Sequence, residues 1–373
     1  MDKEAKLEVR IANKIEEFPR KDWEGVFPAV VEGYSFLYAL DKAGLKQFKF
    51  FYLMAYDKDI PVACAHLFLM DFPLDMGVRG PLKRVTKFLK KIFPGLLSAR
   101  ILFCGSVSSR GRIGLKQDYP QALDCFVSAM EELARQNRAR ALTFKDFDSS
   151  YDGLLRPLLL KGFRRSESLP IALMDITFNS FEEYLKGLSP VSREGFRRKL
   201  KKIKNNPHFD LEITNSISRE VSVQMHGLYL QTMRNSEIEF EELTEDYFAI
   251  ISECMPDGNK CFLWRHEGRL VAFAQCLVKG SHFIDHYLGF DYSVAHEYNF
   301  YYLRFKVLLE WCIANKMAVY EIGQSSYEIK RRLGFDFLPL YVYARPCGRF
   351  NRPIFNFYHK FLASEKFEHI KKG

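Results

Sequence analysis

The residues best suited to chemistry lie in two short stretches of the C-terminal half. The first is SHFIDHYLGFD (281–291), a β-prone run that contains two histidines and an aspartate. Under strand alternation, His282, Ile284 and His286 face one way and Phe283, Asp285 and Tyr287 the other. A buried acid beside a histidine is costly unless it is paired or hydrogen-bonded. Asp285 and His286 are therefore candidate base or amine-binding residues; the competing reading is an exposed, merely polar strand. The second stretch is AVYEIGQSSYEIKRRLGF (318–335). Glu321 and Gln324 close a strand there, at the end where ligands bind open α/β sheets. Ser325, Ser326 and Tyr327 follow at a helix start. The serines are either chemical groups or a helix N-cap completed by Glu328. Lys330, Arg331 and Arg332 either bind donor phosphates or form a solvated helix face. A histidine, or a glutamate raised by burial, can take a proton near neutral pH, and fixed donors or cations can stabilise a developing oxyanion.

The elements that would position these groups occur twice. ALTFKDFDSSYDGLLRPLLLKGF (141–163) repeats the order of 318–335: an apolar strand, Ser-Ser-Tyr, a basic helix, then Gly-Phe. Each phrase follows an amphipathic helix, with Leu123, Phe126, Val127 and Met130 in one and Phe305, Leu308, Leu309 and Cys312 in the other. Further upstream, FFYLMAYDKDIPVACAHLFL and CFLWRHEGRLVAFAQCLV are matching hairpins with Val-Ala-x-Ala on the second strand. The step from Val62 to Val271 exceeds that from Ser149 to Ser325 by 33 residues. Copy one thus carries an insertion, placed at about 71–100. The element order predicts an α/β fold with a mixed sheet. In copy one the position of Lys330 falls among Leu154 and Leu155, so copy two is expected to be the reactive copy and copy one a scaffold or acceptor-side domain.

Bulk properties agree with two folded domains. The chain has 373 residues, 47% hydrophobic and 27% charged, with a net charge of +9. A basic chain favours anionic partners. Eight cysteines include no CxxC pair, which argues against zinc or redox chemistry and for buried reduced thiols. No signal-like start and no bilayer-length apolar run is visible. The expectation is a cytoplasmic protein, peripheral at the inner membrane if the insertion binds lipid.

This order of elements resembles the GNAT acyltransferase fold. Two copies in one chain resemble the Fem-type peptidoglycan aminoacyltransferases and related bacterial GNAT-like proteins. The most specific local match is SYEIKRRLGF, in which Tyr327, Lys330, Gly334 and Phe335 fit the family's Tyr-x-x-Lys before a Gly-aromatic close. SREGFRRKLKKIKNNPHFDLEI (192–213) is similar to the basic helix that opens the second domain. The resemblance implies two tandem GNAT-like domains, 1–178 and 179–373, each a mixed sheet flanked by helices. It implies that the 282–287 strand lines the substrate cleft and that Tyr327 returns a proton to a leaving thiolate. It groups Lys330, Arg331, Ser325, Ser326, Gln324 and Asn299 as donor-binding residues. GFDYSVAHEYNFYY (289–302) departs from the family's pyrophosphate loop, with no glycine after Gly289.

The insertion interleaves Lys83, Arg84, Lys87, Lys90 and Lys91 with Val85, Phe88, Leu89, Ile92 and Phe93. Lys87, Phe88, Lys90, Lys91 and Phe93 are expected to contact a membrane surface; the rival reading packs the apolar face on the core. The functional expectation is an N-acyltransferase with no permanently bound cofactor. Its donor would be a thioester, acyl-CoA or acyl carrier protein, and its acceptor an amine on an amphiphile. The alternatives are a Fem-type enzyme using aminoacyl-tRNA and a non-catalytic double-GNAT binding protein. No zinc finger or RNP-like motif points to nucleic-acid readout, and no DNA partner is expected.

Overall fold

A computed structural model describes residues 7–73, 98–204, 209–235, 241–295 and 299–348. The expected membrane-contact residues Lys87, Phe88, Lys90, Lys91 and Phe93 lie outside the described residues. By packing, the chain forms two compact units. Among the described residues one unit runs to Asp41, from Leu45 to Pro170 and from Pro339 onward; the other holds Lys42–Gly44 and Ile171–Leu338.

In the first unit the sheet order is β1 (Glu8–Ala12), β2 (Lys49–Asp57), β3 (Ile60–Pro73), β4 (Ser98–Cys104), β6 (Ala141–Asp148) and the part of β13 (Asp336–Pro346) from Pro339 onward. The short β5 (Ile113–Leu115) pairs with β3. Strands β2 and β3 are apolar on both faces, and from Phe50 to Tyr56 and from Val62 to Met70 every residue is buried. Such runs belong to strands covered on both sides. Helix Ala122–Gln136 supplies cover through Leu123, Phe126, Val127, Met130 and Leu133, the positions its spacing predicts.

In the second unit the order is the part of β7 (Arg164–Asp175) from Ile171 onward, β12 (Val319–Ile322), β11 (His282–Phe290), β10 (Arg269–Lys279), β9 (Asn259–His266) and β8 (Asp210–Thr214). Only β11 and β12 run parallel; the other described pairings of this unit are antiparallel. Helix Phe300–Ala314 buries Phe300, Phe305, Leu308, Leu309 and Cys312, with Arg304 on the same buried stripe.

The two copies seen in sequence are therefore present as structure: a hairpin, a third strand, a long helix and a parallel strand in each unit. The units are not the linear halves 1–178 and 179–373. The C-terminal part of β7, from the first copy, pairs with β12, and β13, from the second, pairs with β6. A strand belongs to the sheet that satisfies its backbone, whatever its place in the repeat. No helix among the described residues is long and apolar enough to cross a membrane.

Gly289 shows how tightly β11 is packed. A Cβ there would lie 2.7 Å from the backbone of both Leu228 and Tyr229 and would collide with the Phe273 ring. Helix Arg219–Arg234 thus rests directly on the strand. Gly289→Ala should cost about 1–3 kcal/mol by overpacking, read as a lowered urea midpoint with an unchanged slope.

Candidate active site

Parallel strands that part at their carboxyl ends leave a crevice. Strands β11 and β12 are in register over four pairs, from His282↔Val319 to Asp285↔Ile322. Beyond Asp285 strand β11 stays paired only with β10, and that pairing carries a bulge. Gln275 opposes Tyr287 while Cys276 opposes Asp285, which leaves His286 as the extra residue. The strict alternation expected over 282–287 is therefore broken. Phe283 and Asp285 face helix Phe300–Ala314, but His286 and Tyr287 both meet Tyr247. A bulge re-aims side chains in this way.

The face toward the long helix holds a buried ion pair. Arg304 Nη1 lies 2.5 Å from Asp285 Oδ2, with the two side chains at 0% and 1% exposure. Tyr320 OH donates to the same oxygen at 3.0 Å. Burial alone would lower the Arg304 pKa, but Asp285 beside it more than offsets this and the guanidinium is held raised. Asp285 is thus committed to a cation and a phenol, and the base role expected of it does not fit this placement. Arg304 Nε and Nη2, Asp285 Oδ1 and Tyr301 OH have no hydrogen-bond partner among the described residues.

Lys330 is not on a solvated helix face. It is 2% exposed, and its ammonium donates to the Gly323 carbonyl just past the end of β12. Burial, opposed by Asp285 and assisted by Arg304, lowers its pKa to about 7. A group in that place pins the helix Tyr327–Arg332 to the strand; it does not extend toward a phosphate.

On the opposite face, His286 Nε2 lies 3.1 Å from Tyr247 OH. Burial lowers the His286 pKa to about 3, so the ring is neutral across the physiological range. Tyr287 OH donates to Glu241 Oε1 at 2.8 Å.

The remaining expected residues scatter around this core. Glu321 is buried within the paired part of β12, 3.1 Å from His282 Nε2. Tyr327 is half-buried and packs edge-on against Phe337. Arg331 lies 5.6 Å over the Phe337 ring. Gln324 is half-buried, and Ser325 and Ser326 are exposed. Ser326 is the N-cap residue in a left-handed conformation, yet its side chain makes no cap bond, and Glu328 pairs with Arg332. The capping reading therefore does not hold. Asn299 is likewise a left-handed N-cap without a side-chain bond.

The sequence reading missed Arg304, Tyr320, Tyr247 and Glu241. Arg304 carried a signal, being a charge on the apolar stripe of its helix. The first unit is also richer than expected. Strands β4 and β6 part after Cys104↔Phe144, and there Arg110 and Arg112 each lie 3.6 Å from the buried Asp148. β5 stands between that loop and the long helix Ala122–Gln136.

Residues 89–361 match the FemAB-like family, described as peptidoglycan biosynthesis/recognition, and the chain belongs to that family. It is similar to FemX in structure (TM-score 0.57, 11% identity, 94% of this chain and 99% of that one). It is also similar to a tandem GNAT protein from the clavulanic acid biosynthesis pathway (TM-score 0.53, 10% identity, 92% and 99%). These likenesses establish a tandem GNAT fold. A Mycobacterium tuberculosis protein, named as a candidate 8-amino-7-oxononanoate synthase 2, is 25% identical over 330 residues, 84% of this chain. The chain spans 42% of the length of that relative.

Two stability measurements check the buried cluster. Arg304→Met strands a buried carboxylate and should cost about 3–5 kcal/mol, whereas Asp285→Leu combined with Arg304→Met should cost less than Arg304→Met alone. Lys330 binds fewer protons folded than unfolded between about pH 7 and 10.5. Its contribution to stability therefore rises with pH across that window, by at most about 1.4 kcal/mol per unit. Chemical denaturation of the wild type against Lys330→Met should show the wild type gaining on the variant from pH 7 upward; a constant difference would contradict the burial of a titrating amine.

Proposed function

We propose that the protein is an N-acyltransferase. It would move an acyl group from a thioester, acyl-CoA or acyl carrier protein, to an amine on a membrane-associated or cell-envelope lipid or precursor. The observation that carries this reading is the bulge at His286, placed where β11 and β12 separate. In the proposed step the amine nitrogen attacks the thioester carbonyl carbon. The C–N bond forms, the C–S bond breaks, and the amine proton passes to His286. Tyr327 returns a proton to the thiolate. An amine N–H becomes strongly acidic once the C–N bond has formed, so a neutral, weakly basic imidazole suffices as acceptor. Lys330 would act by fixing Gly323 and the helix that carries Tyr327. Arg331 and the exposed Ser325 and Ser326 remain the proposed donor contacts.

A second reading uses aminoacyl-tRNA as donor. It is supported by the family description and by the exposed Arg197, Arg198 and Lys201 on helix Pro190–Lys204.

Equilibrium binding separates the two. The thioester reading expects saturable binding of a long-chain acyl-CoA that is at least about tenfold tighter than that of CoA or the free fatty acid. Binding of charged tRNA with no preference for acyl-CoA would move the donor to the second reading.

A further inference from the structure

The buried ion pair does not use all of its hydrogen-bonding capacity. Arg304 meets Asp285 through one nitrogen and one oxygen, Nη1 and Oδ2. Tyr320 OH donates to that same oxygen, and the Lys330 ammonium is committed to the Gly323 carbonyl. Among the described residues nothing pairs with Arg304 Nε or Nη2, with Asp285 Oδ1 or with the Tyr301 hydroxyl, and all four are shielded from solvent. Arg304 and Asp285 are both buried. Tyr301 stands one helical turn before Arg304, its ring centroid 5.6 Å from the guanidinium carbon. Burial raises the Tyr301 pKa to about 12, and the charges of Arg304 and Asp285 both act on it. Its hydroxyl is therefore neutral and belongs to the same cluster.

The chemistry of these four groups selects a ligand. Nε–H and Nη2–H can only donate, Oδ1 of the carboxylate can only accept, and the hydroxyl can do either. An anion would suit the guanidinium and be repelled by the carboxylate oxygen. A cation would suit the oxygen and be repelled by the guanidinium. The ligand must be uncharged, must both donate and accept, and must be small enough for a site enclosed on all sides. Water has two hydrogens and two lone pairs, and buried waters typically bond to two to four such groups. Without a partner, each group would carry the desolvation cost of a buried polar atom.

We propose that Arg304, Asp285 and Tyr301 form a binding site for one buried water molecule. The water accepts from the Nε/Nη2 edge of Arg304, donates to Asp285 Oδ1 and bonds to the Tyr301 hydroxyl. It ties the first turn of helix Phe300–Ala314 to Asp285, the residue at which the pairing of β11 with β12 ends. The inference does not depend on the transfer reading.

The test uses the full-length protein. A crystal structure at a resolution that shows ordered water should contain one peak within about 3.2 Å of Asp285 Oδ1, of the Tyr301 hydroxyl and of Arg304 Nε or Nη2. Absence of that peak, or protein atoms paired with all four groups, would overturn the inference. Anomalous signal at the peak after a bromide soak would overturn it too, by making the ligand an anion. Oxygen-17 magnetic relaxation dispersion checks the site in solution. Tyr301→Phe removes one of the water's partners and no charge, so a long-lived water of the wild type should exchange at least about threefold faster, the scale of one hydrogen bond. Identical dispersion in the two folded proteins would contradict the site. If circular dichroism shows Tyr301→Phe unfolded, the wild-type crystal structure decides alone.

Discussion

Burying Asp285 forces most of what surrounds it. A carboxylate in an apolar core is tolerated only with a cation and hydrogen bonds at hand. The second unit meets that demand with Arg304 from the long helix and Tyr320 from the neighbouring strand. Three elements are thereby tied at one point: β11, β12 and helix Phe300–Ala314. That knot lies at the last paired residue of the parallel strands. One residue further on, at the bulge, His286 lies on the other face and Tyr287 joins it there. The ion pair therefore marks where the sheet stops being continuous and where a crevice can begin.

The knot also sets the electrostatics of its neighbours. Burial depresses the Lys330 pKa, Asp285 pulls it partly back up, and Arg304 adds a smaller push downward. Lys330 in turn holds the Gly323 carbonyl at the end of β12. The polar residues thus divide by face. Those toward the long helix are paired, buried and structural. Those toward helices Arg219–Arg234 and Tyr247–Cys254 include His286, Tyr287 and Glu241, which are half-buried. The first unit places Arg110, Arg112 and Asp148 at the corresponding parting of β4 and β6, so a carboxylate beside arginine recurs at this position in both copies.

The repeat itself was legible because it is written in local terms. Hairpin alternation, helical spacing and Gly-Phe closures survive in both copies, and the elements they predict are present. The exchange of β7 and β13 between units was not legible, since strand pairing is a long-range property that no local pattern records. For the site, the position of His286 and Asp285 on one strand could be read, but their roles could not. A bulge adds one residue without altering composition, so alternation carried past it assigns the wrong face to Tyr287. Lys330 read as a basic helix residue among Arg331 and Arg332; only packing separates a buried lysine from its solvated neighbours. Glu241 lies outside any periodic segment and gave no signal at all.

The central claim is that an amide bond forms at the parting of β11 and β12 with His286 taking the proton. The measurement that addresses it most directly is mass-spectrometric detection of an N-acylated product from long-chain acyl-CoA and an alkylamine, for the wild type and His286→Ala at matched foldedness. The account predicts product with the wild type and a rate lower by about a hundredfold or more in the variant, the range of a lost general base. Equal rates in the two proteins would contradict it.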